Sequence, residues 1–217
     1  KLPFNGVEDF TPVAMLAVVV STMAIHPSVP ARNVKEFIAV ARANPGKLAY
    51  ASAGSGSSTH LNAVVFEKMA GIRMLHVPYK GGAPAVLDTV TGQTQMIVTA
   101  ATQTLPHART GRLRLLGVTR SQRSPMLPEV PAIAESLPGY EASVWFGAFG
   151  PAGMPGDITA RLNTEINRLM SAPDTKKVME DMGVEVVNIT AEQFLATLRK
   201  EAVHWGNVVR QYNIKMD

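Results

Sequence analysis

Residues 48–61 contain the residue types in this chain that are best suited to binding a small anion. The segment reads Leu-Ala-Tyr-Ala-Ser-Ala-Gly-Ser-Gly-Ser-Ser-Thr-His-Leu. A strand-like run ends at Gly54-Ser55-Gly56, and apolar residues at helical spacing follow from Leu61. The spacing predicts a helix from Ser57 to about Ala70, with Gly71 as its C-terminal cap. A helix that starts here leaves its first N–H groups free at its positive end, and glycines allow close approach. The pattern predicts a carboxylate site, with an ordinary helix N-cap as the alternative.

The segment does not match three other glycine-rich motifs. A P-loop needs Lys and then Ser or Thr after its last glycine, whereas Ser57 and Ser58 follow Gly56. A dinucleotide fingerprint needs a third glycine where Thr59 stands. The chain also contains no Gly-x-Ser-x-Gly nucleophile elbow. Nucleotide binding and serine-hydrolase chemistry are therefore disfavoured.

Other candidate binding residues come directly after or within predicted strands. Lys80 precedes Gly81-Gly82 and a helix start, where a cation opposes the helix dipole unless an anion is bound. Thr99 ends a strand, and open α/β sheets bind ligands at that edge. Trp145 is a candidate apolar wall, with core packing as the alternative. The predicted ligand-binding set is Ser52, Gly54, Gly56, Ser57, Ser58, Thr59, His60, Tyr79, Lys80, Thr99 and Trp145.

Composition excludes several function classes. The 217 residues are 46% apolar and carry a net charge of +4 without cysteine, so disulfides and thiol chemistry are absent. Aromatic residues make up 6%, too few for nucleic-acid stacking platforms. The longest apolar stretch, residues 13–25, is too short to cross a bilayer. The histidine spacing predicts no metal site, no carboxylate pair indicates catalysis, and no cofactor is expected.

The order of predicted elements favours an α/β fold with parallel strand pairing. Residues 11–26 form one long or two short strands, and three strand–helix units of similar length follow between residues 48 and 109. Proline-rich residues 121–139 then interrupt the alternation, which places a domain boundary near residues 120–145. A strand over 140–149, two helices, a strand over 184–187 and a helix over 191–212 complete the chain.

Several motifs, in order along essentially the whole chain, resemble the Bug-type solute receptors of tripartite tricarboxylate transporters. They are Phe10-Thr11-Pro12-Val13, Asn44-Pro45-Gly46-Lys47-Leu48, the run from Tyr50 to Leu61, His76-Val77-Pro78-Tyr79-Lys80-Gly81, Leu127-Pro128-Glu129-Val130-Pro131, Pro138-Gly139-Tyr140-Glu141, Trp145-Phe146-Gly147 and Pro151-Ala152-Gly153. The resemblance implies a type II periplasmic binding protein, in which two α/β lobes close on a small organic carboxylate (a mono-, di-, tri- or aromatic acid). The partners it implies are that acid and a membrane permease, and the protein is not expected to be an enzyme.

The same resemblance implies a domain map. Residues 14–138 correspond to the second lobe, and residues 1–13 with 139–217 to the remaining part of the first lobe. Family members carry a further amino-terminal stretch with a signal peptide for the periplasm and a Pro-Gly-Gly loop that grips the ligand. This chain starts at Lys1 without that stretch, so the first lobe is expected to be incomplete and to expose apolar surface.

One departure from the family pattern bears on the ligand. Many relatives have an Asp-Asn-like pair where this chain has Thr99-Ala100, so a plain carboxylate is expected rather than an amino acid. The predicted grip consists of backbone N–H groups from Gly56 to Ser58 with the hydroxyls of Ser52, Ser57 and Thr59. Two alternatives stay open: an enzyme of small carboxylates that uses Ser57 and His60, and a structural α/β domain.

Overall fold

The computed structural model describes residues 3–211, which fall into two compact α/β units. The split unit consists of residues 3–19 and 145–211, and the continuous unit consists of residues 20–144. Both observed boundaries lie a few residues later than the predicted ones after residues 13 and 138. One reason is that segment 139–144 packs on the continuous unit, where the Ala142 amide donates to the Thr119 carbonyl at 2.9 Å. Residues 1–2 and 212–217 of the predicted first lobe lie outside the described residues.

The element order follows the predicted alternation of strands and helices. The strands are β1 (Phe10–Val19), β2 (Ser21–Ile25), β3 (Ala49–Ser52), β4 (Leu75–Pro78), β5 (Met96–Ala100), β6 (Arg114–Val118), β7 (Val144–Pro151) and β8 (Val184–Val186). The helices are α1 (Val34–Ala43), α2 (Ser58–Ala70), α3 (Gly82–Val90), α4 (Ala101–Arg109), α5 (Gly156–Met170), α6 (Pro173–Asp181) and α7 (Ala191–Gln211). The predicted strand over residues 140–149 begins later, at Val144, because Tyr140 and Ala142 are buried outside the sheet.

The continuous unit is built on a five-stranded sheet of order β4-β3-β5-β2-β6. β3 pairs in parallel with both β4 and β5, as the strand–helix alternation predicts. β2, by contrast, pairs antiparallel with β5 and β6, so the expected parallel pairing does not extend to β2. Only Val20 separates β2 from β1, so the chain enters the sheet at the edge where β5 and β6 end. β2 therefore runs in the opposite direction.

Helices cover both faces of this sheet. One buried cluster joins α3 to the sheet through residues including Val86, Val90 and Ile97. A second cluster joins α4 and the segment 127–132 to the sheet through Val20, Ala101 and Val118, and Leu115 packs against both clusters. Tyr50, which alternates with Ala51 of the first cluster along β3, stacks on His60 of α2, so α2 covers the opposite face. Helix α2 ends at Gly71, whose φ of 60° is the left-handed C-cap predicted from the sequence. The sheet edge that carries the candidate site is therefore held by a packed core.

The split unit contains a three-stranded sheet of order β7-β1-β8, with α5 and α7 packed on β1. Met15, Val18 and Phe194 form its buried cluster. Large apolar side chains are exposed on its helices, including Leu169, Val178 and Val203 at 59%, 56% and 64%. None of the described helices has the length and apolarity needed to span a membrane.

Candidate functional site

Three helices of the continuous unit begin at the same edge of its sheet. β4, β3 and β5 are neighbouring parallel strands, so their carboxyl ends lie side by side. Each is followed by a helix, which begins at Gly82, Ser58 or Ala101. Helix N-termini carry unsatisfied N–H groups and a partial positive charge. This edge therefore concentrates three positive helix ends without requiring a cationic side chain.

The loop between β3 and α2 depends on two glycines with positive φ. Gly54 has a φ of 129° and Gly56 a φ of 78°, conformations that are costly for residues with a Cβ atom. A Cβ on Gly54 would also lie 3.4 Å from the Tyr79 carbonyl oxygen, because the Tyr79 loop passes beside it. The Tyr79 amide donates to the Ser52 carbonyl and the Gly81 amide donates to the Ala53 carbonyl. The loop after β3 and the loop after β4 are thus joined by backbone hydrogen bonds.

The hydroxyl groups of this loop bind the loop itself. Ser57 Oγ donates to the Gly54 carbonyl at 2.6 Å and also caps α2 by accepting from the His60 amide at 3.3 Å. Thr59 Oγ1 accepts from the Ala53 amide at 2.8 Å and lies 2.9 Å from Ser57 Oγ. Ser52 is fully buried, with its Oγ 2.6 Å from His76 Nε2. These hydroxyl groups therefore shape the loop, and their contact with a ligand stays a prediction.

The backbone amides divide into bound and available groups. The Gly56 amide donates to His60 Nδ1 at 3.0 Å, and the Ser57 amide donates to the Gly54 carbonyl at 3.2 Å. Within the described chain, no acceptor is found for the amides of Ser58 and Thr59, the first two residues of α2. Ser58 is also exposed. The donors available to an anion are thus one residue further along than the predicted Gly56–Ser58 set.

Helix α3 presents a second pair of donors. Its N-cap, Gly81, has a φ of 118° and supplies no side-chain cap. Over residues 3–211, neither the Gly82 amide nor the Ala83 amide has a recorded acceptor, and Pro84 has no N–H group. Lys80 precedes this helix and is exposed. The second helix end therefore reinforces the anion preference of the first.

Gln103 connects the second and third helix ends, and sequence reasoning missed it. Its Oε1 accepts a hydrogen bond of 2.7 Å from Thr99 Oγ1, and Thr99 is 5% exposed. A Cβ added to Gly82 would lie 2.9 Å from Gln103 Oε1 and 3.0 Å from Nε2, so the amide lies against the start of α3. Thr99 thus acts by positioning Gln103. The four-residue spacing across the start of α4 was the available signal.

Tyr79 also has a specific partner. Its hydroxyl donates to Asp88 Oδ2 at 2.7 Å, which links the loop after β4 to α3. Burial and, secondly, the hydrogen bond to Asp88 raise the pKa of Tyr79 to about 12. The hydroxyl therefore stays neutral, and its proton is directed to the carboxylate. Tyr79 braces the loop between Pro78 and Gly82.

His60 is held in the loop by its environment, and its predicted contact with a ligand stays a prediction. The side chain is 9% exposed, and its Nδ1 accepts from Gly56. Ser57 Oγ directs its proton to the Gly54 carbonyl, so Ser57 and His60 are not arranged as nucleophile and base. Among residues 3–211, no cluster of three or more His, Asp or Glu side chains can hold a metal ion.

Trp145 lies in the split unit, whereas the other ten predicted binding residues lie in the continuous unit. Its indole Nε1 donates to Glu201 Oε2 at 2.6 Å, and its ring meets Phe194 edge-on at 5.2 Å between centroids. Trp145 is therefore fixed by contacts within its own unit.

Solved structures with the same architecture define the class of this fold. One, of an R. palustris protein with adipate, matches 100% of this chain at a TM-score of 0.85 and 29% identity, and the chain covers 73% of that protein. MatC from Rhodopseudomonas palustris, with bound malate, matches 96% of this chain at a TM-score of 0.80 and 27% identity, over 72% of its own length. These matches confirm the predicted fold class, the two-lobe periplasmic binding protein.

The family follows from the sequence. The model of the tripartite tricarboxylate transporter family receptor matches residues 1–214, and the chain belongs to this family. A relative from Pseudomonas sp. strain P51, the UPF0065 protein in the tcbD–tcbE intergenic region, is 36% identical over 216 residues. That alignment covers 99% of this chain and 64% of the relative, so the chain spans about two thirds of the relative's length.

Proposed function

We propose that this chain belongs to a periplasmic receptor that captures a small dicarboxylate and delivers it to a membrane permease. In this proposal the continuous unit is one ligand-clamping lobe and the split unit belongs to the other. The observation that carries the proposal is the pair of amides at Ser58 and Thr59, without an internal acceptor, at an edge shared with two further helix N-termini.

The chemistry of this edge favours a carboxylate. Two amides at the first turn of α2 can each donate to one carboxylate oxygen, and a hydrogen bond to a charged group contributes roughly 1.5–3 kcal/mol. The amides of Gly82 and Ala83 and the side chain of Gln103 supply further donors near the same edge. Since these donors belong to the backbone or are neutral, the site attracts an anion without an ion pair that requires desolvation.

The nature of the edge also favours an acid without an amino group. Thr99 and Ala100 stand at the end of β5, and the Thr99 hydroxyl is used by Gln103. The Asp88 carboxylate is bound by the Tyr79 hydroxyl. Thr99 and Ala100 therefore offer an ammonium ion no anionic partner at the end of β5, and Oδ2 of Asp88 is already engaged by Tyr79. Adipate and malate, bound by the two structural relatives, are dicarboxylates without an amine.

Delivery to the permease follows from closure of the receptor in this proposal. A ligand that contacts both lobes stabilises the closed state by its differential affinity for that state. The permease then distinguishes the closed, loaded receptor from the open one. Catalysis plays no part, which agrees with the binding-protein character of the relatives.

A thermal-shift screen of organic acids on the full-length protein tests the proposal. Malate and aspartate form the matched pair, because they differ in a hydroxyl against an ammonium group. A true ligand at a hundredfold excess over its Kd stabilises the folded state by about 2.7 kcal/mol and is recovered unchanged. Stabilisation by malate or adipate, without an effect of aspartate, is the expected result.

Three results would count against the proposal. Chemical conversion of the acid would favour the enzyme alternative, in which Ser57 and His60 act on a carboxylate. The absence of stabilisation by any acid would favour a structural domain. Preferential binding of aspartate would contradict the assignment of a ligand without an amine.

A further inference from the structure

Two histidine rings lie stacked beside the loop between β3 and α2. The centroids of His60 and His76 are 4.0 Å apart and their planes differ by 5°. Tyr50, which pairs with His76 across β3 and β4, stacks on His76 at 5.0 Å. His60 lies in the first turn of α2 and His76 lies in β4. The stack therefore connects the helix that presents the free amides to the neighbouring strand.

Each imidazole is linked by hydrogen bonds to one glycine amide of the loop, His60 directly and His76 through a hydroxyl group. His60 Nδ1 accepts directly from the Gly56 amide at 3.0 Å, so this nitrogen carries a lone pair and no proton. His76 Nε2 lies 2.6 Å from Ser52 Oγ, which accepts in turn from the Gly54 amide at 3.2 Å. Both rings thus fix the two glycines whose positive φ values set the course of the loop.

Protonation opposes this arrangement in two ways. A proton on Nδ1 removes the acceptor of the Gly56 amide and places two N–H groups against each other. Charge on both rings would put two cations 4.0 Å apart. Tyr50 faces the pair from β3, and Glu67 of α2 acts on Tyr50, with burial raising the pKa of both groups. Near the loop after β4, Lys80 is exposed and Asp88 is bound by Tyr79.

We propose that His60 and His76 are positioning residues of the carboxylate site, and that acid weakens binding by protonating this pair. The inference rests on the proposed function, and it adds a regulation that the proposed function does not require. In the state that binds the carboxylate the two imidazoles carry fewer protons than in the state in which the loop is released from His60. By linkage, the affinity for the acid falls as the pH drops through the range in which imidazoles titrate.

The first experiment measures the Kd for malate and for adipate by calorimetry between pH 5.5 and 8.0. Coupling to one proton raises the Kd by up to about tenfold per pH unit below the titration range, near pH 6.5 for an ordinary histidine. His60→Asn retains an acceptor at the δ position and cannot be protonated there, so it is expected to bind at pH 8 and to have a flatter pH profile than the wild type. The acid itself titrates identically whether it is added to the wild type or to His60→Asn, so the difference between the two profiles belongs to the protein. His204→Gln, on an exposed residue of the split unit, is the control that retains the wild-type profile.

The second experiment follows the unliganded wild-type protein by NMR and needs neither a ligand nor a variant that folds. The amide signal of Gly56 is expected to move with the same midpoint as the His60 ring signals. Independent titration of the two would overturn the inference, as would tighter binding in acid or a pH profile of His60→Asn as steep as that of the wild type. If no acid binds at any pH, the proposed function fails while this measurement still decides whether His60 positions the loop.

Discussion

Replacing Ser58 with proline removes one N–H group from the candidate site while leaving the helix start intact. Ser58 is the first residue of α2, the position at which proline is best tolerated in a helix. The preceding Ser57 has a φ of −66° and a ψ of 160°, which suits a residue before proline. The same chain already uses Pro173 at the first position of α6. The substitution is therefore expected to leave the free energy of unfolding nearly unchanged.

Its effect on binding follows from the single hydrogen bond that is lost. A bond from a backbone amide to a carboxylate contributes roughly 1.5–3 kcal/mol, which corresponds to an increase in Kd of about 10- to 150-fold. Ser58→Ala is the matched control, because it removes the exposed hydroxyl and keeps the N–H group. That variant is expected to bind like the wild type.

Calorimetry with adipate and malate measures both variants, with urea unfolding as the check on stability. Equal affinities of Ser58→Pro and Ser58→Ala would refute the assignment of this amide to the ligand. Equal loss in both variants would shift the interaction to the hydroxyl. Only selective loss in Ser58→Pro supports the backbone mechanism.

Three further perturbations test the supporting structure. Gly56→Ala forces a Cβ atom into a left-handed conformation, so it is expected to cost roughly 1–2 kcal/mol in urea unfolding and to weaken binding; unchanged values in both assays would contradict the role of this glycine. Thr99→Val removes the hydroxyl that holds Gln103, with an expected loss of roughly 0.5–1.5 kcal/mol in stability. If Thr99 acts only through Gln103, Thr99→Val and Gln103→Ala are expected to weaken malate binding to a similar extent. Because the pKa of Tyr79 is raised from 10.0 to about 12, the stability that its neutral hydroxyl contributes is complete below pH 10 and is lost as the pH rises toward 12. Tyr79→Phe is therefore expected to reduce the pH dependence of the unfolding free energy between pH 10 and pH 12. An unaltered pH profile would argue against the bond to Asp88.

Much of the fold could be predicted because local signals agree with the packing. The glycine at position 71, the hydroxyl at position 57 and the helical spacing after Leu61 define both ends of α2, and the structure confirms them. The direction of β2 could not be read from its sequence. Its five residues are all buried, so periodicity does not reveal whether the neighbouring strands run parallel or antiparallel to it.

The location of the candidate site could be predicted, but the identity of its donors could not. A glycine-rich join after a strand indicates where a helix end is presented, whereas the hydrogen bonds inside the loop depend on distant residues. His76 is 24 positions from Ser52 in sequence, and its ring forms a hydrogen bond with the Ser52 hydroxyl inside the protein. Gln103 was missed for a similar reason, because its contact with Gly82 joins two separate strand–helix units.

The central claim is that the free amides at the start of α2 hold a carboxylate. The most direct measurement is a crystal structure of the full-length protein with malate. The account predicts a carboxylate oxygen within about 3 Å of the Ser58 or Thr59 nitrogen, a normal distance for such a bond. A carboxylate bound elsewhere, with neither amide donating to the acid, would contradict it.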